Sequence, residues 1–144
     1  PVDRAYSHWN MERQRDLVQG SFDQAVHQEL REATAVGERL DKVNSFLRRG
    51  FYAPQIQALW NRFGQGQVLV LKHADLLLKH DETLARSFDF LGVSPVSVPS
   101  KSVHGRSYSS SMSPSIRTDL LQMYLGDVLE VEHLLGWDCA DWKV

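Results

Sequence analysis

The predicted fold class depends on one stretch of sequence, Gln67–Lys72, which reads QVLVLK. A short, continuous run of branched apolar residues that follows a glycine is typical of a strand covered on both faces, as in a parallel sheet. One strand cannot form a sheet, because its buried backbone N–H and C=O groups need partners. The rest of the sequence has no second run of this kind. We therefore expect an α/β protein whose partner strands lie outside this chain.

The sequence on either side of this segment has helical spacing. Ser21 and Gln24 have the form of a capping box, Gly92 is placed to end a helix, and the pair Ser113-Pro114 is placed to begin one. The charged run from Glu29 to Glu32 is interpreted as a solvated helix face. Leu76, Leu77 and Leu78 are predicted to be core, and Val93–Ser113 a loop. The predicted helices are Val2–Gln19, Ser21–Ala35, Pro54–Phe63, Asp81–Leu91 and Pro114–Leu135.

Composition excludes several classes of protein. The 144 residues carry 16 Lys and Arg against 18 Asp and Glu, a net charge of −2 that argues against a duplex nucleic-acid binder. One cysteine, Cys139, permits no internal disulfide and no cysteine metal cluster, and it is predicted to be a packed thiol. The six histidines include no pair at i,i+4 spacing, so no metal site is expected. No apolar run is long enough to span a membrane, and no secretory leader is visible.

The chain begins at Pro1 and not at a methionine. Together with the missing partner strands, this suggests that residues 1–144 are the C-terminal, mostly helical portion of a single larger domain with a central parallel sheet.

The opening segment Pro1–Trp9, PVDRAYSHW, resembles a motif of sulfotransferases that use 3′-phosphoadenosine 5′-phosphosulfate (PAPS). The resemblance implies that Ser7 binds the 3′-phosphate of the nucleotide. A hydroxyl near a helix N-terminus suits this role, because it can donate to phosphate oxygens while the helix dipole adds positive potential. A first-turn serine can instead bond only to its own backbone.

A second motif, His104–Tyr108 (HGRSY), is similar to a Lys-Gly-Arg loop with which heparan sulfate sulfotransferases close over the nucleotide. The similarity assigns Gly105, Arg106 and Ser107 to the cofactor site. Glycine permits close backbone approach and arginine presents a charged fork to phosphate, although an exposed arginine is more often simply solvated. His104 stands where the family usually has lysine. Tyr108 is interpreted either as stacking on adenine or as packing on the surface.

The middle of the chain agrees with the same family in order and spacing. This part of the resemblance is carried by Gly50–Ile56 (GFYAPQI), Trp60, Phe63, the expected strand Val68–Leu71, Asp75-Leu76 and Phe90–Val93 (FLGV), and its end by Trp137–Trp142. The motifs are closest to those of bacterial and heparan-sulfate-type sulfotransferases. The implied fold is a P-loop-like, three-layer sulfotransferase domain.

The resemblance implies transfer of a sulfuryl group from PAPS to a hydroxyl, leaving adenosine 3′,5′-bisphosphate. The acceptor class is a small molecule, a carbohydrate or a carrier-bound chain. No Gly-rich phosphosulfate loop is present, so no catalytic residue is named, and activity is expected only with an N-terminal part of the same domain. The single cysteine favours a bacterial, cytoplasmic enzyme. The competing interpretation is a non-enzymatic helical module that docks a partner protein.

Overall fold

A computed structural model describes residues 1–33, 43–100 and 111–144. The chain divides into two compact units, one made of Pro1–Ile56 with Tyr108–Val144 and the other of Gln57–Ser107. Short 3-10 turns at Arg48–Gly50, Gln65–Gln67 and Ala140–Trp142 accompany the α-helices. The α-helices are α1 (Val2–Gln14), α2 (Phe22–Ala33), α3 (Ala53–Phe63), α4 (His73–Leu78), α5 (His80–Leu91) and α6 (Pro114–Leu135).

The predicted α/β fold with a central parallel sheet is wrong, and so is its P-loop-like character. Residues 1–33, 43–100 and 111–144 contain helices, turns and irregular segments but no strand. The QVLVLK segment begins inside the 3-10 turn Gln65–Gln67 and continues without regular structure into α4. A strand forms only when a neighbouring strand hydrogen-bonds to its backbone N–H and C=O groups. The described part of the chain contains no such neighbour.

Local signals placed most helix ends correctly. The Ser21 capping box is confirmed, because the Gln24 amide donates to the Ser21 hydroxyl and the Ser21 amide donates to the Gln24 side chain. Ser113 caps α6 by accepting from the Ile116 amide, and Gly92 ends α5 in the left-handed conformation. Helix α1 is five residues shorter than predicted, because the chain turns at Asp16 with φ 57°.

Two predictions about burial are wrong. Leu76, Leu77 and Leu78 form the end of α4 and are 37%, 64% and 83% exposed, so they are not core. In the run Glu29–Glu32, predicted to be a solvated face, Glu29 is buried on α2, whereas Leu30, Arg31 and Glu32 are exposed as predicted. Periodicity cannot distinguish such cases, since it shows which residues share a face and not whether that face is covered.

The first unit buries one face of α1 against α2 and α6. Tyr6 and Trp9 on α1 meet Phe22 on α2, with the Tyr6 and Phe22 ring centroids 5.1 Å apart at a steep angle. Such edge-to-face contacts add to the free energy gained by burying the rings. The α6 side of this core consists of Ile116, Leu120, Tyr124, Val128 and Val131.

The segment Phe46–Ala53, which contains the 3-10 turn Arg48–Gly50 and ends at the first residue of α3, has its backbone hydrogen-bonded by side chains from α2 and α6. The Glu29 carboxylate accepts from the amides of Leu47 and Arg48 at 2.8 and 3.0 Å. The Asp127 carboxylate accepts from the amides of Tyr52 and Ala53 at 2.7 and 3.0 Å, which also satisfies the start of α3. Buried amides that lack helical partners are thereby satisfied.

Tyr124 ties α6 to the same segment from within the core. Its hydroxyl donates to the Leu47 carbonyl oxygen at 2.8 Å, and burial raises its pKa well above the usual value. Its ring lies directly against Gly50: a Cβ atom at that position would be 2.6 Å from the Tyr124 hydroxyl oxygen. The close packing of this ring therefore requires a residue without a side chain at position 50.

We expect Gly50→Ala to lower the free energy of unfolding by about 1–3 kcal/mol, because the new methyl group overlaps the Tyr124 ring. Gly126→Ala is the matched control. Gly126 lies in α6, and a Cβ there meets nothing within 4 Å, so alanine should stabilise by about 0.5–1 kcal/mol through helix propensity. Urea denaturation of both variants measures the difference. Equal effects of the same sign would contradict this packing.

Glu29 should make stability depend on pH with a defined sign. Burial raises the pKa of Glu29 above its ordinary 4.5, even though the amides of Leu47 and Arg48 favour the ionised form. The folded chain then binds the proton more tightly than the unfolded chain. The resulting stabilisation is complete when the pH is below the ordinary pKa of glutamate. It is lost as the pH rises through the higher pKa that Glu29 has in the folded protein.

Glu29→Gln stays uncharged, so its unfolding free energy relative to wild type should rise as pH increases from about 4 to 7. Denaturant titrations of both proteins at each pH measure this difference. A relative stability that falls over the range would contradict the assignment.

Candidate functional site

Ser7 is exposed on α1, whereas most of the motif around it is core. The residue lies in the second turn of a 13-residue helix that begins at Val2. Pro1 precedes the helix and provides no side-chain cap for its first amides. The buried residues of the motif are Val2, Ala5, Tyr6, His8 and Trp9. The motif therefore packs one face of the helix and presents a hydroxyl on the other.

One turn before Ser7, Asp3 forms an ion pair with α6. The Asp3 carboxylate is 2.8 Å from the Arg117 guanidinium, which also donates to the carbonyl oxygen of Val144 at 2.9 Å. A phosphate near Ser7 would otherwise meet an uncompensated negative charge at i−4. Arg117 offsets that charge and holds α1 against α6.

Arg4, Arg49 and His8 form a basic cluster beside this helix. The Arg4 guanidinium donates to the Phe46 carbonyl oxygen at 2.9 Å, and its other terminal nitrogen is 3.5 Å from Nδ1 of His8. Burial lowers the pKa of Arg4, and the nearby charge of Arg49 lowers it further. Arginine nevertheless remains protonated, so the cluster carries two positive charges in a partly desolvated place.

His8 is buried within the cluster and is neutral near pH 7. Burial lowers its pKa below the ordinary 6.5, and the charges of Arg4 and Arg49 act in the same direction. Glu12 opposes the shift, since its carboxylate lies 3.5 Å from Nε2. The ring also meets Phe46 edge-on, with centroids 5.1 Å apart. His8 thus packs and orients Arg4, and its neutral ring adds no charge.

The other predicted cofactor residues, His104, Gly105, Arg106, Ser107 and Tyr108, lie outside the described residues. Their assignment remains a prediction. Of the six predicted cofactor-binding residues, Ser7 is thus the one that lies within the described ranges.

Arg4 was not singled out from the sequence as a site residue, whereas the run Arg48–Tyr52, which includes Arg49, was open to an acceptor- or nucleotide-facing role or to helix-end packing. The i,i+4 spacing of Arg4, His8 and Glu12 was a visible signal for a charged helix edge. The approach of Arg49 was not visible, because it depends on the fold of residues 46–50.

A cavity of about 250 Å³ lies between the end of α1, α2 and residues 44–46. Its described lining includes the carboxylates of Glu29 and Glu32 and the amides of Gln24, Gln28 and Asn44, with no lysine, arginine or histidine. A phosphate would be repelled there, so this cavity is unsuited to the nucleotide.

The described ranges contain no group of three or more His, Cys, Asp or Glu side chains that could hold a metal ion. Cys139 is fully buried, as expected for a packed thiol. Over the same ranges, each helix is too short or too polar to cross a membrane.

Comparison with known proteins leaves the family open. No family model matches this chain, and neither the curated proteins nor the solved structures include a match.

Proposed function

We propose that this chain supplies the 3′-phosphate side of the PAPS site of a sulfotransferase. The observation that carries the proposal is the exposure of Ser7 between the buried residues Tyr6 and His8. The sulfotransferase resemblance assigns the phosphate contact to this one residue of the motif. Ser7 is exposed, whereas Tyr6 and His8 beside it are buried in the core.

The charges around Ser7 support an anionic ligand. The N-terminal half-charge of α1 is positive, and Arg4 lies at i−3, on an adjoining part of the helix surface. Asp3, the acidic residue at i−4, is already paired with Arg117. A phosphate at Ser7 can therefore accept from the hydroxyl in a region of positive potential.

In the proposed reaction the bond between sulfur and the bridging phosphate oxygen breaks as the acceptor oxygen bonds to sulfur. Adenosine 3′,5′-bisphosphate leaves, and a general base takes the proton of the acceptor hydroxyl. The described residues offer neither a Gly-rich phosphosulfate loop nor an assigned base. The proposed task of this chain is to bind and orient the nucleotide, with His104–Tyr108 as further contributors.

The acceptor in this proposal is a hydroxyl of a small molecule, a carbohydrate or a carrier-bound chain. The phosphosulfate loop and the base belong to an N-terminal part of the same domain. The proposal also includes a cytoplasmic location, which the single cysteine, Cys139, favours.

Ser7→Ala should weaken binding of adenosine 3′,5′-bisphosphate by about 1.5–3 kcal/mol, which is the value of a hydrogen bond to a charged group. Ser115→Ala is the matched control, because Ser115 is also exposed in the first turns of a helix but lies outside the motif. Isothermal titration calorimetry on the full-length protein measures both. Equal affinities of wild type and Ser7→Ala would refute the contact.

Arg106→Ala should weaken the same binding by a similar amount, about 1.5–3 kcal/mol, through loss of a charge-assisted bond to phosphate. Arg62→Ala, which removes an exposed arginine of α3, serves as the control for net charge. The same titration measures both variants. Loss of affinity in both alike would indicate a general charge effect and contradict a specific contact.

The second candidate function is a non-enzymatic module that docks a partner protein. The exposed leucines of α4 and the exposed Leu91 at the end of α5 favour it, since such apolar side chains on one unit mark interaction surfaces. Thermal denaturation of the full-length protein with adenosine 3′,5′-bisphosphate separates the two functions. A rise in melting temperature favours the sulfotransferase, and an unchanged temperature favours the module.

A further inference from the structure

The buried ring of His8 is held in one tautomer by Arg4. A guanidinium group has hydrogen-bond donors only, so the 3.5 Å contact between Nη2 of Arg4 and Nδ1 of His8 requires an unprotonated Nδ1. The one proton of the neutral ring is therefore on Nε2. That nitrogen lies 3.5 Å from the Glu12 carboxylate and makes no hydrogen bond among the described residues. A second proton can bind only at Nδ1, the atom that faces Arg4.

A proton on Nδ1 would bring two donors and two positive charges together. The protonated nitrogen cannot accept from the Arg4 guanidinium, and the two cations would be 3.5 Å apart in a place that burial shields from solvent. Arg49 adds a further positive charge nearby. The contact between Arg4 and His8 is therefore compatible only with the neutral ring.

Of the two side chains, Arg4 is the one that can move away. The His8 ring is 6% exposed and packs edge-on against Phe46, and Glu12 is placed to hold the charged ring through Nε2. Arg4 is half-buried and has a long, flexible side chain. Its movement would break the 2.9 Å hydrogen bond to the Phe46 carbonyl oxygen, which joins α1 to the segment Phe46–Ala53.

We propose that His8 and Arg4 form a pH-sensitive latch, in which protonation of His8 releases Arg4 from the Phe46 carbonyl oxygen and loosens α1 from the segment Phe46–Ala53. The latch is closed while the ring is neutral. Burial and the charges of Arg4 and Arg49 lower the pKa of His8, so the latch opens as the pH falls below the ordinary 6.5. This device belongs to the fold of the first unit and is independent of the proposed nucleotide site.

Titratable groups from other elements also face Arg4. Glu29 on α2 attracts the guanidinium, and burial raises the pKa of Glu29, so its own protonation also falls in the acid range. Burial raises the pKa values of Tyr52 and Tyr124 above 10, so both tyrosines stay uncharged while His8 titrates. A test of the latch must therefore separate protonation of His8 from protonation of Glu29.

His8→Asn makes this separation, because the asparagine side-chain oxygen can accept from Arg4 but cannot be protonated in this range. NMR of the Arg4 side-chain nitrogens and the His8 ring in the full-length protein, from about pH 8 to 5, measures the release. We expect both wild-type signals to change with one midpoint, and the Arg4 change to be lost in His8→Asn. Different midpoints in the wild type, or an unaltered Arg4 change in His8→Asn, would overturn the latch.

Arg4→Met tests the same contact from the other side. Removing the guanidinium should shift the His8 midpoint to higher pH, because a cation that opposes protonation is gone. Arg13→Met is the matched control: it removes a charge from the same helix, but Arg13 lies over the Trp9 ring, 5.1 Å from its centroid, so the His8 midpoint should move less. A midpoint that Arg4→Met leaves unchanged or lowers, or that both variants raise equally, would contradict the proposal.

Discussion

The first unit depends on satisfying the backbone of Phe46–Ala53, a segment that crosses the interior without helical hydrogen bonds of its own beyond one short turn. Side chains from α1, α2 and α6 do so: Arg4 and Tyr124 donate to its carbonyl oxygens, and Glu29 and Asp127 accept from its amides. Each unsatisfied buried group would cost about 1–3 kcal/mol. This requirement explains why two carboxylates are partly buried despite the desolvation that raises their pKa values.

The same hydrogen bonds shape the electrostatics of the candidate site. Because Arg4 is held by the Phe46 carbonyl oxygen and lies beside His8, its charge remains near the first turns of α1. The 3-10 turn that follows Leu47 brings Arg49 close enough to influence both residues. Ser7 is exposed on the same helix. The segment that stabilises the fold thus also holds positive charge near the first turns of α1, the helix that carries Ser7.

The segment 68–71 shows why reasoning from sequence failed there. Its apolar run predicted a strand, and the structure assigns none, although Val68 itself has extended dihedral angles, a local preference of β-branched residues. The predicted sheet required partners elsewhere in the chain, and the structure contains no strand in residues 1–33, 43–100 and 111–144. The prediction that Leu76–Leu78 are core was wrong for a related reason. An apolar run indicates a tendency to be buried, but it does not show which other residues would cover it.

What the sequence determined by itself was local. The capping box at Ser21, the cap at Ser113 and the glycine end of α5 at Gly92 each rest on atoms within a few residues, so their geometry follows from the residues present. What only the tertiary structure decided was the environment of single side chains. The burial of Glu29, the contact of Gly50 with Tyr124 and the approach of Arg49 to Arg4 join residues far apart in the chain. Their energies depend on packing and desolvation, which no local pattern encodes.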